Sequence, residues 1–317
     1  MRTLLIIAGA YLLQAREGRD CDLMIDILMP FYGDPDQFKE AVRSVIAQDD
    51  PDWRMVILND CYPHWNPEEW VRELHDDRIH FESNPQNLGV SGSFNRSIDL
   101  ATAEYVTIFG CDDRMLPGYL TAVKSAIARF AQPEFVQPGV RIIDETGAAS
   151  YPLVDRVKTW VRPRVPQGGQ ELAGEPVMTT LLRGDWAYFP AICWRRDVLM
   201  EHRFSKEFEI TLDLVLKTDI LTSGGRMALL PEVVFEYRRH AASASSYTAK
   251  DGTRFDEERA FYRRARQRLI SLGWPKAARA ARWRITSRLN ALSKLPGALL
   301  SRDGAAIRTL SRYAFSQ

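Results

Sequence analysis

The sequence predicts an α/β fold: a mostly parallel sheet covered by helices on both faces, followed by a basic, helical C-terminal region. Three observations predict it. Short, wholly apolar runs alternate with amphipathic helical patterns, as they do when a sheet is buried on both sides. The first two apolar runs lie about as far apart as a parallel β-α-β crossover requires. Charge is unevenly divided: from Phe255 to Gln317, fourteen Lys or Arg stand against four Asp or Glu. That segment therefore carries +10 and the rest −9, although the 317-residue chain nets only +1.

The elements follow in order. Thr3 to Leu13 is apolar but too short to span a bilayer. Only Arg2 precedes it and no clear cleavage site follows, so residues 1–22 read as an N-terminal extension on the fold or on a membrane surface, with a signal-peptide core as the alternative. Met24 to Met29 reads as a buried strand. Asp34, Pro35 and Gln37 mark a helix start, with a capping Asp, a first-turn Pro and a capping-box Gln. Phe38, Val42, Val45 and Ile46 then share one helix face. Met55 to Leu58 is a second strand and Val106 to Phe109 a third. Phe94, Ile98 and Ala101 mark the helix between them.

Residues 150–185 hold Pro152, Pro163, Pro166, Gly168, Gly169, Gly174 and Pro176 and read as a long, partly mobile loop, with regular structure resuming near Met178. A helix runs from about Leu212 to Leu221 and stops at Gly224-Gly225. The C-terminal region reads as two helices. One carries Phe261, Ala265, Leu269 and Leu272 and ends at Gly273 and Pro275. The other carries Ala278, Ala281, Ile285, Leu289 and Leu292 and ends at Pro296-Gly297.

A hydrophobic share of 45% and a charged share of 26% exclude disordered, collagen-like and coiled-coil chains. Cys21, Cys61, Cys111 and Cys193 lack zinc spacing and read as free thiols of a reducing cytoplasm. The basic region suits a solvated helix face, or an anionic membrane contact through Trp274, Trp283, Ile285 and Leu289. No nucleic-acid motif accompanies it.

Candidate chemistry sits just after the strands. Asn59-Asp60 follows the second, and Asp112-Asp113 follows the third after Gly110-Cys111. Ligands of open α/β sheets bind at those carboxyl ends, and paired Asp residues suit Mg²⁺ or Mn²⁺ bearing a diphosphate. The same residues also suit turns, and the residues alone leave the two readings open. Asn87, Asn95, Gly89 and Gly92 fit a turn and helix start as well as they fit a phosphate contact. Trp160, Trp186 and Tyr188 suit the core first and sugar stacking second.

Four ordered blocks resemble the family-two glycosyltransferases of GT-A, Rossmann-like fold, over about residues 23–247. The first runs from DILMPFYGD to VILND and the second from NPQNLG to FGCDD. The third is the stretch around FEITLDLVLKTD. The fourth is Tyr237-Arg238-Arg239-His240 with Ser243 and Ser245. The resemblance implies a transferase domain over 23–250, followed by a helical basic region over 251–317. It implies transfer of a hexosyl or related sugar from a nucleotide-sugar donor to an acceptor hydroxyl, with inversion and metal assistance by Mn²⁺ or Mg²⁺. Asp112 stands at the metal position and Asp213 at the general base. Pro30, Tyr32, Asn59, Asp60, Asn87, Gly89, Asn95, Cys111, Asp113 and His240 stand on the donor side. The resemblance implies polysaccharide biosynthesis; the cysteines suit a cytoplasmic protein, and the basic region suits one peripheral on the inner membrane face. The acceptor stays open between a glycan, a lipid-linked intermediate and a protein.

Two positions depart from the pattern. Gly110 replaces the first Asp of the metal motif, and Leu212 replaces the carboxylate beside the base, where Glu209 and Asp219 are nearby alternatives. Both departures keep a degenerate, binding-only GT-A module as the competing expectation. Sugar-nucleotide synthesis is disfavoured, since no Gly-x-Gly-Thr-Arg loop opens the chain.

Overall fold

The structure is a computed structural model that describes residues 23–240 and 253–315. The expected extension over 1–22, Cys21, Ser243 and Ser245 lie outside the described residues. Strands β1 (Ile25–Phe31), β2 (Trp53–Asn59), β3 (Ile79–Ser83) and β4 (Tyr105–Ile108) pair in parallel in the order β3-β2-β1-β4. The sheet continues through β8 (Cys193–Arg195), β6 (Phe135–Ile143), β9 (Arg226–Arg238) and β5 (Arg114–Met115). β7 (Gln170–Ala173) joins β9 on its other side. The long pairings are parallel, β6 with β9 included; the short strands β5, β7 and β8 are the antiparallel ones.

Alternation along the strands divides the core into two layers. Ile25, Ile27, Met29, Met55 and Ile57 face α1 (Pro35–Ile46), α2 (Glu68–Glu73) and α4 (Tyr119–Arg129). Leu28, Val56, Val106 and Ile108 face the other side, packing with α3 (Gly89–Leu100), α6 (Gly174–Gly184), α7 (Arg196–His202) and α8 (Leu212–Thr222). Inside β1, Asp26 is wholly buried, an expense met in full. Arg54, its register partner on β2, grips it at 2.9 and 2.7 Å, and the Thr102 and Ala103 amides donate to it as well. Asp34 caps α1 by accepting from the Asp36 and Gln37 amides.

The loop expected over 150–185 is largely regular: α5 (Leu153–Val161), β7 and α6 fill it. Two of its four prolines mark helix starts. Pro152 immediately precedes α5 and Pro176 sits in the first turn of α6, where a missing amide costs nothing. Only Gly168 and Gly169, both with φ near +80° (82° and 81°), make a genuine turn before β7.

Among its described residues the C-terminal region holds four helices, where the periodicity suggested two: α9 (Thr253–Ser271), α10 (Pro275–Trp283), α11 (Ile285–Leu300) and α12 (Gly304–Phe315). Arg284, left-handed at φ 45°, interrupts the long apolar stripe between α10 and α11. Pro296 lies inside α11 and forfeits one amide without ending it. Phe261, Leu269, Ala277 and Ala281 are buried in the same layer as α6 and α8. Ala291, Ala298, Leu310 and Tyr313 close a smaller core around Phe255.

Candidate active site

The loops after β1, β2, β4 and β9 meet at one edge of the sheet. After β2, the buried Asp60 uses one oxygen to accept from the Asn84 side-chain amide at 2.7 Å and the Leu88 backbone amide at 2.8 Å. Asn84 is itself held by its amide donating to the Asn59 carbonyl. Periodicity does not reveal Asn84. The Asn59 side chain accepts from the Tyr62 amide, bracing its own loop. Pro30 is half-buried within β1, and the exposed Tyr32 ring stands edge-on to Tyr62 at 5.2 Å. Asn87 accepts from the Gly89 amide and so closes the turn into α3; Gly89 has the φ of +68° that this turn needs.

Asn95 is placed differently from the donor-side expectation. Its amide nitrogen donates to the Phe204 carbonyl at 2.9 Å and its oxygen accepts from the Phe204 amide at 3.0 Å. Both ends of the side chain are spent pinning the loop after α7 to α3.

The β4 loop carries Gly110-Cys111-Asp112-Asp113. Asp113 is 1% exposed. One of its oxygens accepts from the Arg238 amide at 2.8 Å, while Oδ2 is buried with no partner. A Cβ on Gly110 would stand 2.5 Å from that Oδ2 and 3.1 Å from Asp112 Oδ1. Gly110 is thus the cradle floor, and the two carboxylates converge over the space a side chain would take. Burial and the neighbouring Asp112 push the Asp113 carboxyl above its ordinary range, opposed by Arg238. Burial likewise pushes the Cys111 thiol up to about 12.

His240 Nε2 lies 2.7 Å from Asp112 Oδ2, and this hydrogen bond raises the imidazole above its usual value. Arg238 locks the loop from below: Nε donates to the Asp112 carbonyl at 2.6 Å, and the guanidinium pairs with Glu40 of α1. An orphaned buried carboxylate oxygen beside a second, partly exposed carboxylate fits a hard divalent cation. Among the described residues, no set of three His, Cys, Asp or Glu side chains could hold a metal.

Asp213 sits in the first turn of α8, where Lys217 one turn later binds it at 2.9 Å. Lys217 is fully buried and also holds Asp185 at 2.6 Å. Asp185 ends α6 with φ 35°, and burial raises its carboxyl above the ordinary range against the pull of Lys217. The i, i+4 spacing of Asp213 and Lys217 was a readable signal; the approach of Asp185 was not. Glu257 of α9 caps the turn before α8, accepting from the amides of Glu209, Ile210 and Thr211 at 3.0, 2.8 and 2.7 Å. Of the three carboxylates near the base position, Asp213 lines an adjoining 520 Å³ cavity, while Glu209 and Asp219 are not among its walls.

Helix α5 bridges the two carboxylate groups. Its Asp155 grips Arg239 at 2.7 and 3.1 Å and accepts from the Tyr188 hydroxyl at 2.9 Å. One turn on, Lys158 stands 4.7 Å from the Tyr188 ring centre. Tyr188 is therefore structural, as is the buried Trp186, whose indole donates to the Thr180 hydroxyl, and Trp160 is exposed.

Residues 26–180 match the family described as Glycosyl transferase family 2. The chain carries a family 2 glycosyltransferase domain. Over 99 residues it is 34% identical to an Escherichia coli K12 protein named as a colanic acid biosynthesis glycosyl transferase, WcaA. That alignment covers 31% of this chain and 36% of WcaA. Among solved structures it resembles S. aureus TarS 1–349 in complex with UDP-GlcNAc, with TM-score 0.60 and 14% identity over 93% of this chain and 91% of that one. It also resembles the mannosyltransferase PcManGT from Pyrobaculum calidifontis in complex with GDP-Man and Mn²⁺, with TM-score 0.53 and 16% identity over 92% and 85%. The glycosyltransferase domain thus has the expected GT-A fold.

Proposed function

We propose that the protein is an inverting, nucleotide-sugar-dependent glycosyltransferase of polysaccharide biosynthesis. The observation that carries this reading is the gathering of Asp60 and the Asp112-Asp113 pair, with its orphaned Oδ2, at the carboxyl ends of β2 and β4 in a family 2 domain. Asp60, fixed by Asn84, receives the base or ribose of the donor. Asp112, with Asp113 beside it, holds a divalent cation, and His240 orients Asp112. Mn²⁺ or Mg²⁺ bound there supplies positive charge against the leaving diphosphate. Asp213 takes the proton of the acceptor hydroxyl as that oxygen forms its bond to the sugar carbon. The bond from that carbon to the phosphate oxygen breaks on the opposite face, and its electron pair leaves with the nucleoside diphosphate.

The UDP-GlcNAc and GDP-Man named with the two structural relatives define the first donors to try. A thermal-shift screen of nucleotide sugars, with and without Mn²⁺, tests binding, because a ligand of the native state raises Tm by mass action. Product analysis then tests turnover. Asp112→Asn is expected to abolish sugar transfer with Tm unchanged, and Asp213→Asn to abolish it with donor affinity preserved. Wild-type turnover in either variant overturns that residue's role. Donor binding with no turnover by the wild-type protein would favour the binding-only module.

Among the described residues no helix is long and apolar enough to cross a membrane. Trp283, Ile285 and Leu289 are exposed beside arginines of α10 and α11, which supports peripheral contact of this surface with an anionic inner leaflet.

A further inference from the structure

A cavity lies where the transferase domain meets the C-terminal helices. It has a volume of about 520 Å³ and walls from α5, the end of α6, the start of α8, α9 and α11. Its chemistry is divided. Asp185 and Asp213 lie on one wall, each giving an oxygen to the buried Lys217 while keeping 31% and 19% of its side chain exposed. Asn290 and Ser293 add further hydrogen-bonding groups. Leu153, Val154 and Leu289 line the same cavity and are 70%, 47% and 57% exposed, so apolar surface runs from the carboxylates out to solvent. Leaving three such side chains in water costs free energy that an occupant would recover.

A purely polar sugar would leave that apolar wall wet, and a purely apolar ligand would cover the solvent-facing parts of Asp185 and Asp213 without offering them a hydrogen bond. We infer that this cavity binds an acceptor that is half carbohydrate and half hydrocarbon. Its hydroxyls meet Asp185 and Asp213, and its chain runs along Leu153, Val154 and Leu289 to the surface. The inference rests on the glycosyl-transfer reading for the word acceptor, and on the cavity alone for the class of ligand. Asp185 then supplies, from the end of α6, the second carboxylate that Leu212 removes from the base position. The basic, apolar-tipped surface of α10 and α11 continues from the same side chain, Leu289, which suits a ligand whose chain is anchored in an anionic membrane. Cavities of this size hold a monosaccharide with a short alkyl chain.

Octyl and hexyl glucosides, galactosides and mannosides, below their micelle concentrations, are the probes, titrated into the full-length protein by calorimetry. Octyl glycoside of at least one stereochemistry is expected to bind on the order of tenfold tighter than the hexyl form, because each buried methylene contributes several-fold. The free sugar binds more weakly than either. Leu153→Glu and Leu289→Glu, both at exposed positions that leave folding intact, should erase the chain-length dependence. Asp185→Asn should weaken every glycoside about equally. Affinity independent of chain length, or a chain-length dependence unchanged in both Glu variants, overturns the site. The titration uses no donor, so the two ideas fail separately. Octyl glycoside binding in a protein that turns over no nucleotide sugar sinks the transfer reading but leaves the site standing.

Discussion

Gly110 is the residue at which this chain departs most plainly from its family, and the structure supplies the reason. Restoring a side chain there would drive a Cβ to 2.5 Å from Asp113 Oδ2. Gly110→Ala is therefore expected to lose about 1–3 kcal/mol of stability, the usual cost of forcing extra bulk into a packed site, measured by urea unfolding. It should also depress donor binding; a variant as stable as wild type would show that the cradle is looser than described. A second test uses Cys61, exposed beside Asp60, against Cys193, buried with its thiol pushed up to about 12. Of these two, only Cys61 should react quickly with iodoacetamide at neutral pH, and a bound nucleotide sugar should protect it. Protection of neither, or labelling of both at one rate, would place the donor elsewhere. Asp60 and Asp112 drew notice because polar residues directly after apolar strands stand out, whereas Asp213 came only from the resemblance to the family. Asn84, Asp185 and Arg238 were not legible, because their meaning comes from contacts made across long stretches of chain.

Helices and loops show where local pattern misleads. The family resemblance puts Asn95 on the donor side, yet it ties the loop after α7 to α3 through two hydrogen bonds. Asn95→Ala should cost about 1–3 kcal/mol by leaving Phe204 backbone groups unpaired, with donor affinity changed little. A loss of donor affinity without loss of stability would return Asn95 to the site. The prolines of 150–185 suggested a loop because proline breaks helix interiors; two of them instead stand at helix starts, a distinction composition does not carry. Of the parallel strands only β1, β2 and β4 were legible, as short apolar runs, and α1 was legible because cap, first-turn proline and apolar face all agreed there.

For the whole molecule, the basic C-terminal region was set apart in the sequence by charge, and its charge is real, but its apolar residues are not spare. Phe261, Leu269, Ala277 and Ala281 complete the layer that α6 and α8 begin. Truncation after Ala260 should therefore yield aggregating protein, checked by gel filtration; a soluble, donor-binding fragment would show the helices to be an appendage. Membrane contact is better tested by Trp283→Ser, an exposed position, in sedimentation with anionic liposomes at low and high salt. Weaker sedimentation than wild type at low salt is expected, and equal sedimentation would remove Trp283 from the contact. The Glu257 cap has one more consequence, in the timing of synthesis. The three amides before α8 wait for a carboxylate that follows Thr211 by 46 residues. On the ribosome, which makes chain from the N-terminus onward, β1 to β4 emerge well before α9. The helix bearing Asp213 gains its cap only when α9 has emerged, so the turn that opens it is among the last parts of the domain to set.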